Sequence, residues 1–140
     1  MKKDTGKLLE ELALCDDFSA FYHENEKSMV TESLPHLLDD LMTAKGLSKS
    51  AIIKASELSE VYAYQIFSGL RRPERAKLLS LAVGMRLTPE EVQQLLKSGG
   101  YPPLYVKRPF DSVVLYGLAK QLSVVEINEL LFEYDLETLG

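Results

Sequence analysis

The chain has no apolar run approaching the roughly 20 residues that a bilayer-crossing helix requires. Cysteine is nearly absent as well: Cys15 stands alone, so an internal disulfide is excluded and a reducing cytoplasm is the natural compartment. Lys2 and Lys3 follow Met1, but no apolar segment comes after them, and a signal peptide is not expected. The constellations that carry chemistry are missing too. His23 and His36 fall on different predicted helices, without the Cys or acidic spacing of a zinc pattern, so no metal or other cofactor is expected. Asp16-Asp17 and Asp39-Asp40 are adjacent pairs, whose members point to different faces of a helix and suit solvent better than acid–base work. No cation lies near Cys15 in sequence to activate its thiol. There is no phosphate-cradling glycine loop, no dinucleotide fingerprint and no nucleophile elbow, and an enzyme is not expected.

Positive charge is scarce overall. The net charge is −5, the wrong sign for a molecule that binds nucleic acid over its whole surface. Its distribution is uneven: residues 1–33 carry −4, residues 34–100 carry +2 and residues 101–140 carry −3. Only the middle segment suits a polyanion.

What is present is the composition of an ordinary folded soluble domain, 46% hydrophobic and 26% charged over 140 residues. That is enough chain to bury a core without staples. The periodicity is helical throughout, and no stretch alternates as a strand would. Leu8, Leu12, Cys15, Phe18, Phe21 and Tyr22 step by threes and fours and predict one helix from Leu8 to about Met29, packed on the core or used for dimerisation. Ser33 caps the next helix, Pro35 lies in its first turn, and Lys45-Gly46 ends it. Ser48 caps a helix running to about Ser56, and another runs from Ser59 to Ser68 and stops at Gly69. Arg71-Arg72-Pro73-Glu74 is predicted to start a fourth helix of this middle segment, ending near Gly84. Thr88 and Glu91 make a capping box for a fifth, through Leu96. Pro102, Pro103 and Pro109 interrupt the chain before two more helices, about 110–121 and 123–133. The Tyr-Pro-Pro-Leu-Tyr loop at 101–105 reads as a rigid connector or as an aromatic-proline docking surface.

An internal repeat spans the last third. Leu87, Thr88, Glu91, Val92, Leu95, Leu96 and Leu104 recur at a constant offset as Leu122, Ser123, Glu126, Ile127, Leu130, Leu131 and Leu139. Each copy is a helix, a hydroxyl-capped turn and a second helix, so the last segment is expected to extend the core.

Residues 34–96 resemble the lambda-repressor-like family of the XRE or Cro/cI type. Gly46-Leu47-Ser48 is similar to the family's lead-in to its second helix, and Leu58-Ser59 to the turn before its recognition helix. Gly69-Leu70-Arg71-Arg72-Pro73 is similar to the exit into the fourth helix, and Ile52, Leu58 and Ile66 fall where the motif wants core aliphatics. The chain differs from the family at Ile53, where a small residue is usual, and at Glu57, where the turn usually has glycine. It differs again at Ala63, usually a larger aliphatic, and at Phe67, usually acidic.

The resemblance implies an all-α single folded unit. Its parts would be an N-terminal helix within 1–33, a five-helix helix-turn-helix core at 34–100 and a two-helix extension at 101–140 packed on the core. It also implies a cytoplasmic, sequence-specific DNA-binding regulator acting on double-stranded DNA as a homodimer, with the third helix of the core in the major groove. By position Lys49 would meet phosphate, and Ser59, Glu60, Val61, Tyr62, Tyr64 and Gln65 would face bases or backbone, Gln65 with a bidentate adenine contact in reach. Arg71, Arg72, Arg75 and Lys77, the densest basic cluster, would serve as phosphate contacts or form a solvated helix start. Tyr62, Tyr64 and Phe67 also read as core aromatics. The alternative reading is a non-enzymatic protein–protein adaptor that keeps the bundle without groove readout.

Overall fold

Ser33, Ser48, Ser59, Thr88 and Ser123 each cap the start of a helix in the computed structural model, which describes residues 5–25 and 33–140. Within these residues the protein is all-helical, with nine α-helices and no strand. None of the helices is long and apolar enough to cross a membrane. The chain divides into two units, residues 1–31 and 32–140.

The first unit holds α1 (Thr5–Leu14) and α2 (Phe18–Asn25). One helix was expected from Leu8 to about Met29. It is broken instead at Cys15-Asp16-Asp17, and positions 26–29 lie outside the described residues. Aspartate is a poor helix-interior residue and a good cap. Accordingly the Asp17 carboxylate accepts a hydrogen bond from the Ser19 N–H at 3.0 Å and opens α2. Phe18 lies beside Phe21 and Tyr22, with ring centroids 6.1 and 6.2 Å away.

The second unit holds α3 (Leu34–Lys45), α4 (Lys49–Ser56), α5 (Glu60–Ser68), α6 (Arg75–Gly84), α7 (Pro89–Ser98), α8 (Pro109–Ala119) and α9 (Val124–Glu133). Four of its connections are the same three-residue joint: a left-handed residue, a leucine, then a hydroxyl cap. The left-handed residues are Gly46, Glu57, Arg86 and Gln121, with φ of 64°, 60°, 55° and 55°. Leu47, Leu58, Leu87 and Leu122 turn inward onto the core. Ser48, Ser59, Thr88 and Ser123 each accept from the backbone N–H three residues on. At Gly46, Arg86 and Gln121 the backbone N–H groups of the turn bond back to the last carbonyls of the preceding helix while the hydroxyl caps the next, so these three joints close two helix termini at once. At Glu57 the bond is the Ser59 cap alone.

The helix expected from Arg71 begins at Arg75. Proline restricts the residue before it to extended backbone, so Arg72-Pro73 delays the start, and the Arg71 N–H instead bonds back to the Gln65 carbonyl at 3.1 Å. The main core is built on α6, which packs against α4, α7 and α9. Its approach to α4 depends on Gly84: a Cβ there would lie 2.8 Å from the Ser56 backbone nitrogen.

The repeat extends to hydrogen bonds. Both Thr88/Glu91 and Ser123/Glu126 form complete capping boxes. The Gln93 amide clasps the Leu104 backbone in both directions, accepting at 2.7 Å and donating at 2.9 Å. Asn128, at the same offset, clasps Leu139 at 2.7 and 3.4 Å. Leu104 and Leu139 are both buried. Because α6 packs on α9 and α7 on α8, the two helix pairs face each other reciprocally, as across a pseudo-two-fold axis. Leu131 is fully buried, as the repeat predicts, but Leu130 is only half-buried. Its counterpart Leu95 lies on α7, which carries α3 against it.

Candidate nucleic-acid interface

The joint at Glu57-Leu58-Ser59 sets the direction in which α5 leaves α4. Glu57 adopts φ 60° and ψ 20°, a conformation that costs a side-chain-bearing residue about 1–2 kcal/mol relative to glycine. The packing around it holds that conformation: Ile52 and Ile53 from α4 and Ala63, Ile66 and Phe67 from α5 are all buried in the shared core. Three of the positions where the chain differs from the lambda-repressor-like pattern, Ile53, Ala63 and Phe67, are therefore core positions here.

The opposite side of α5 presents Glu60, Val61 and Tyr64 to solvent, Val61 at 70% exposure. Tyr62 and Gln65 are half-buried at the edge of this face. Ser59 is committed to capping, its hydroxyl accepting from the Tyr62 N–H at 3.2 Å. Tyr64 borders a shallow hollow between α4 and α5 that Ser50, Ile53 and Leu58 also line.

The five candidate cations separate into two groups. Lys49, at the start of α4, places its ammonium 5.6 Å from the centre of the Phe67 ring. Arg71 donates through Nε to the Gln65 side-chain oxygen at 3.0 Å and lies over Tyr62 at 5.4 Å. Lys77 meets the same Tyr62 ring at 5.4 Å and donates to the Gly140 carbonyl at 2.9 Å. These contacts hold the cations against an aromatic surface for about 0.5–1 kcal/mol each.

The other two are tied to the interior framework. Arg72 lies over Tyr101 and donates at 2.8 Å to the Gly99 carbonyl, which ends α7. Arg75 grips the Asp111 carboxylate with both terminal nitrogens, at 2.9 and 3.1 Å, and also donates to the Pro102 and Pro103 carbonyls. Asp111 is buried and accepts the Tyr105 N–H as well. With Tyr101 donating to the Pro73 carbonyl, these bonds make the 101–105 loop a fixed connector. Nothing local in the sequence signals the Arg75–Asp111 pair: its members are 36 residues apart, and each reads as a surface residue in its own window.

Among the described residues two carboxylates, both in capping boxes, have their pKa lowered. Burial pushes Glu91 up, but the Thr88 backbone N–H and Lys45 at 3.0 Å outweigh it and leave the pKa lowered. The Ser123 backbone N–H, with the Ser123 hydroxyl, lowers that of Glu126. Neither group is near α5. Among the described residues no three His, Cys, Asp or Glu side chains are grouped to hold a metal ion.

No protein-family model matches the sequence, and comparison with curated proteins and with solved structures finds no significant match.

Proposed function

We propose that the chain is a sequence-specific DNA-binding regulator of the helix-turn-helix type, non-enzymatic, with α4 and α5 as the binding motif and α5 entering the major groove. The observation that carries this reading is the backbone of Glu57. In the lambda-repressor-like pattern the corresponding turn residue is a glycine, and Glu57 holds the left-handed conformation a glycine would supply, despite its cost. Lys49, Arg71 and Lys77 contact aromatic side chains of α5 and are the cations suited to phosphate. Gln65 is the base-reading side chain. Its oxygen is oriented by Arg71, which leaves its amide nitrogen free to donate to adenine N7. Arg72 and Arg75 stabilise the framework. A homodimer would double the contact area and match a two-fold operator.

One feature favours a second reading, a protein–protein adaptor. The outward face of α5 has no basic residue, and it presents Val61 and Tyr64 beside Glu60, with Leu70 exposed just beyond.

Selection from a genomic fragment pool separates the two. The regulator enriches a defined sequence, and Gln65→Ala costs about 1–3 kcal/mol on that sequence and little on random duplex. The adaptor enriches nothing and binds no tighter than roughly 10⁻⁴ to 10⁻⁶ M at physiological salt, the range of non-specific association.

A further inference from the structure

Among the described residues four non-glycines have positive φ, and three of them, Glu57, Arg86 and Gln121, line a single cleft of about 270 Å³. The cleft lies where three of the four helix joints converge. Gly46, the left-handed residue of the remaining joint, does not line it. Where the joint is remote from the cleft the chain has the unstrained residue, and where it borders the cleft it has long polar ones. Backbone strain retained at several positions around one cavity points to a use for the side chains.

Those side chains are unspent. Lys54, Glu57, Arg86 and Gln121 make no side-chain hydrogen bond or ion pair among the described residues, and all four are exposed at the mouth of the cleft. Glu126 also borders it, with one oxygen already accepting the Ser123 N–H. The rim thus carries two cations and two carboxylates. Below it the lining is apolar: Val83, Leu87, Leu118 and Val124 are buried.

We propose that this cleft binds a free α-amino acid with an apolar side chain. A neutral rim of mixed sign disfavours a ligand of one charge and suits a zwitterion: the carboxylate is taken by Lys54 and Arg86, the ammonium by Glu57, and the side chain lies on the apolar floor. The volume is below the roughly 300–1,000 Å³ of drug-sized sites and fits a small metabolite. The site does not depend on whether the chain binds DNA.

The test is titration calorimetry of the full chain with L-valine, L-leucine and L-phenylalanine, and with 3-methylbutylamine and 4-methylpentanoate as the two halves of leucine. At least one amino acid binds, and for leucine each half-molecule loses about tenfold or more, the effect of one charged hydrogen bond. Arg86→Gly and Glu57→Gly relieve the backbone, so both variants stay folded, yet each weakens binding about tenfold or more. Asp135→Gly relieves the same kind of strain away from the cleft and leaves binding unchanged. Absence of binding by all three amino acids at millimolar concentration overturns the proposal. So does a loss in Asp135→Gly equal to that in Arg86→Gly.

Discussion

The helix pairs α6–α7 and α8–α9 share a 35-residue offset, a left-handed joint, a capping box and an amide clasp, yet they differ in what covers them. The first pair has α3 and α4 on one side and the second pair on the other. The second pair has the first on its inner side, and Val113, Tyr116, Leu130 and Tyr134 line an open groove at its surface. Their counterparts are Leu78, Leu81, Leu95 and Gly99, all buried. Local chemistry therefore dictates the conformation of each pair, while burial is decided by the neighbours. The chain follows this division: small and aliphatic residues stand where the face is covered, and tyrosines where it meets water.

The comparison breaks most visibly in the core. Leu95→Ala should cost about 2–5 kcal/mol, as for a fully buried leucine, whereas Leu130→Ala should cost at most about half as much because the side chain is half in water already. Equal losses in denaturant unfolding would mean that the open groove is covered in solution. The clasps come next. Gln93→Ala and Asn128→Ala each leave the backbone N–H and C=O of a buried leucine unpaired, at about 1–3 kcal/mol. Asn128 should give the smaller loss, since its donated bond is 3.4 Å against 2.9 Å for Gln93.

Much of this was legible in the sequence, and for identifiable reasons. Caps and left-handed turns are local devices, so Ser48, Thr88 and Gly46 announce helix ends without reference to the rest of the chain. The clasps were not legible in the sequence: Gln93 and Asn128 keep the offset of the repeat, but each bonds a leucine 11 residues further on, which only the folded chain shows. The break at Cys15-Asp16-Asp17 was masked by an apolar spacing that continues across it, although two adjacent aspartates are better caps than helix-interior residues. The late start of α6 follows from Pro73, which outweighs the helix-forming arginines before it. What no local window contains is the Arg75–Asp111 pair or the cleft at Glu57, Arg86 and Gln121. Both are products of chain segments brought together only by packing.

Smaller effects sharpen the same picture. Glu57→Gly should stabilise the chain by about 1 kcal/mol by removing left-handed strain, measured as a raised thermal midpoint. A lowered midpoint would mean that residue 57 is not left-handed in solution. The capping boxes give a pH signature. Because Glu91 and Glu126 have lowered pKa values in the folded state, their contribution is complete above the ordinary glutamate value of 4.5 and is lost as the pH falls through the folded values. Stability should therefore decline on acidification below about pH 5, and Glu91→Gln should flatten that decline. An unchanged slope in the variant would remove Glu91 from the account.

Under the proposed function Arg71 is a phosphate contact and Lys120 is not, and the salt dependence of duplex binding tests this most directly. Arg71 lies against α5, whereas Lys120, over the Tyr116 ring, lies on the second helix pair. For the wild type the logarithm of affinity should fall linearly with the logarithm of salt concentration. Arg71→Ala should flatten that slope by about 0.9, the loss of one phosphate contact, and Lys120→Ala should leave it unchanged. Identical slopes in all three proteins, or the same flattening in both variants, would contradict the account.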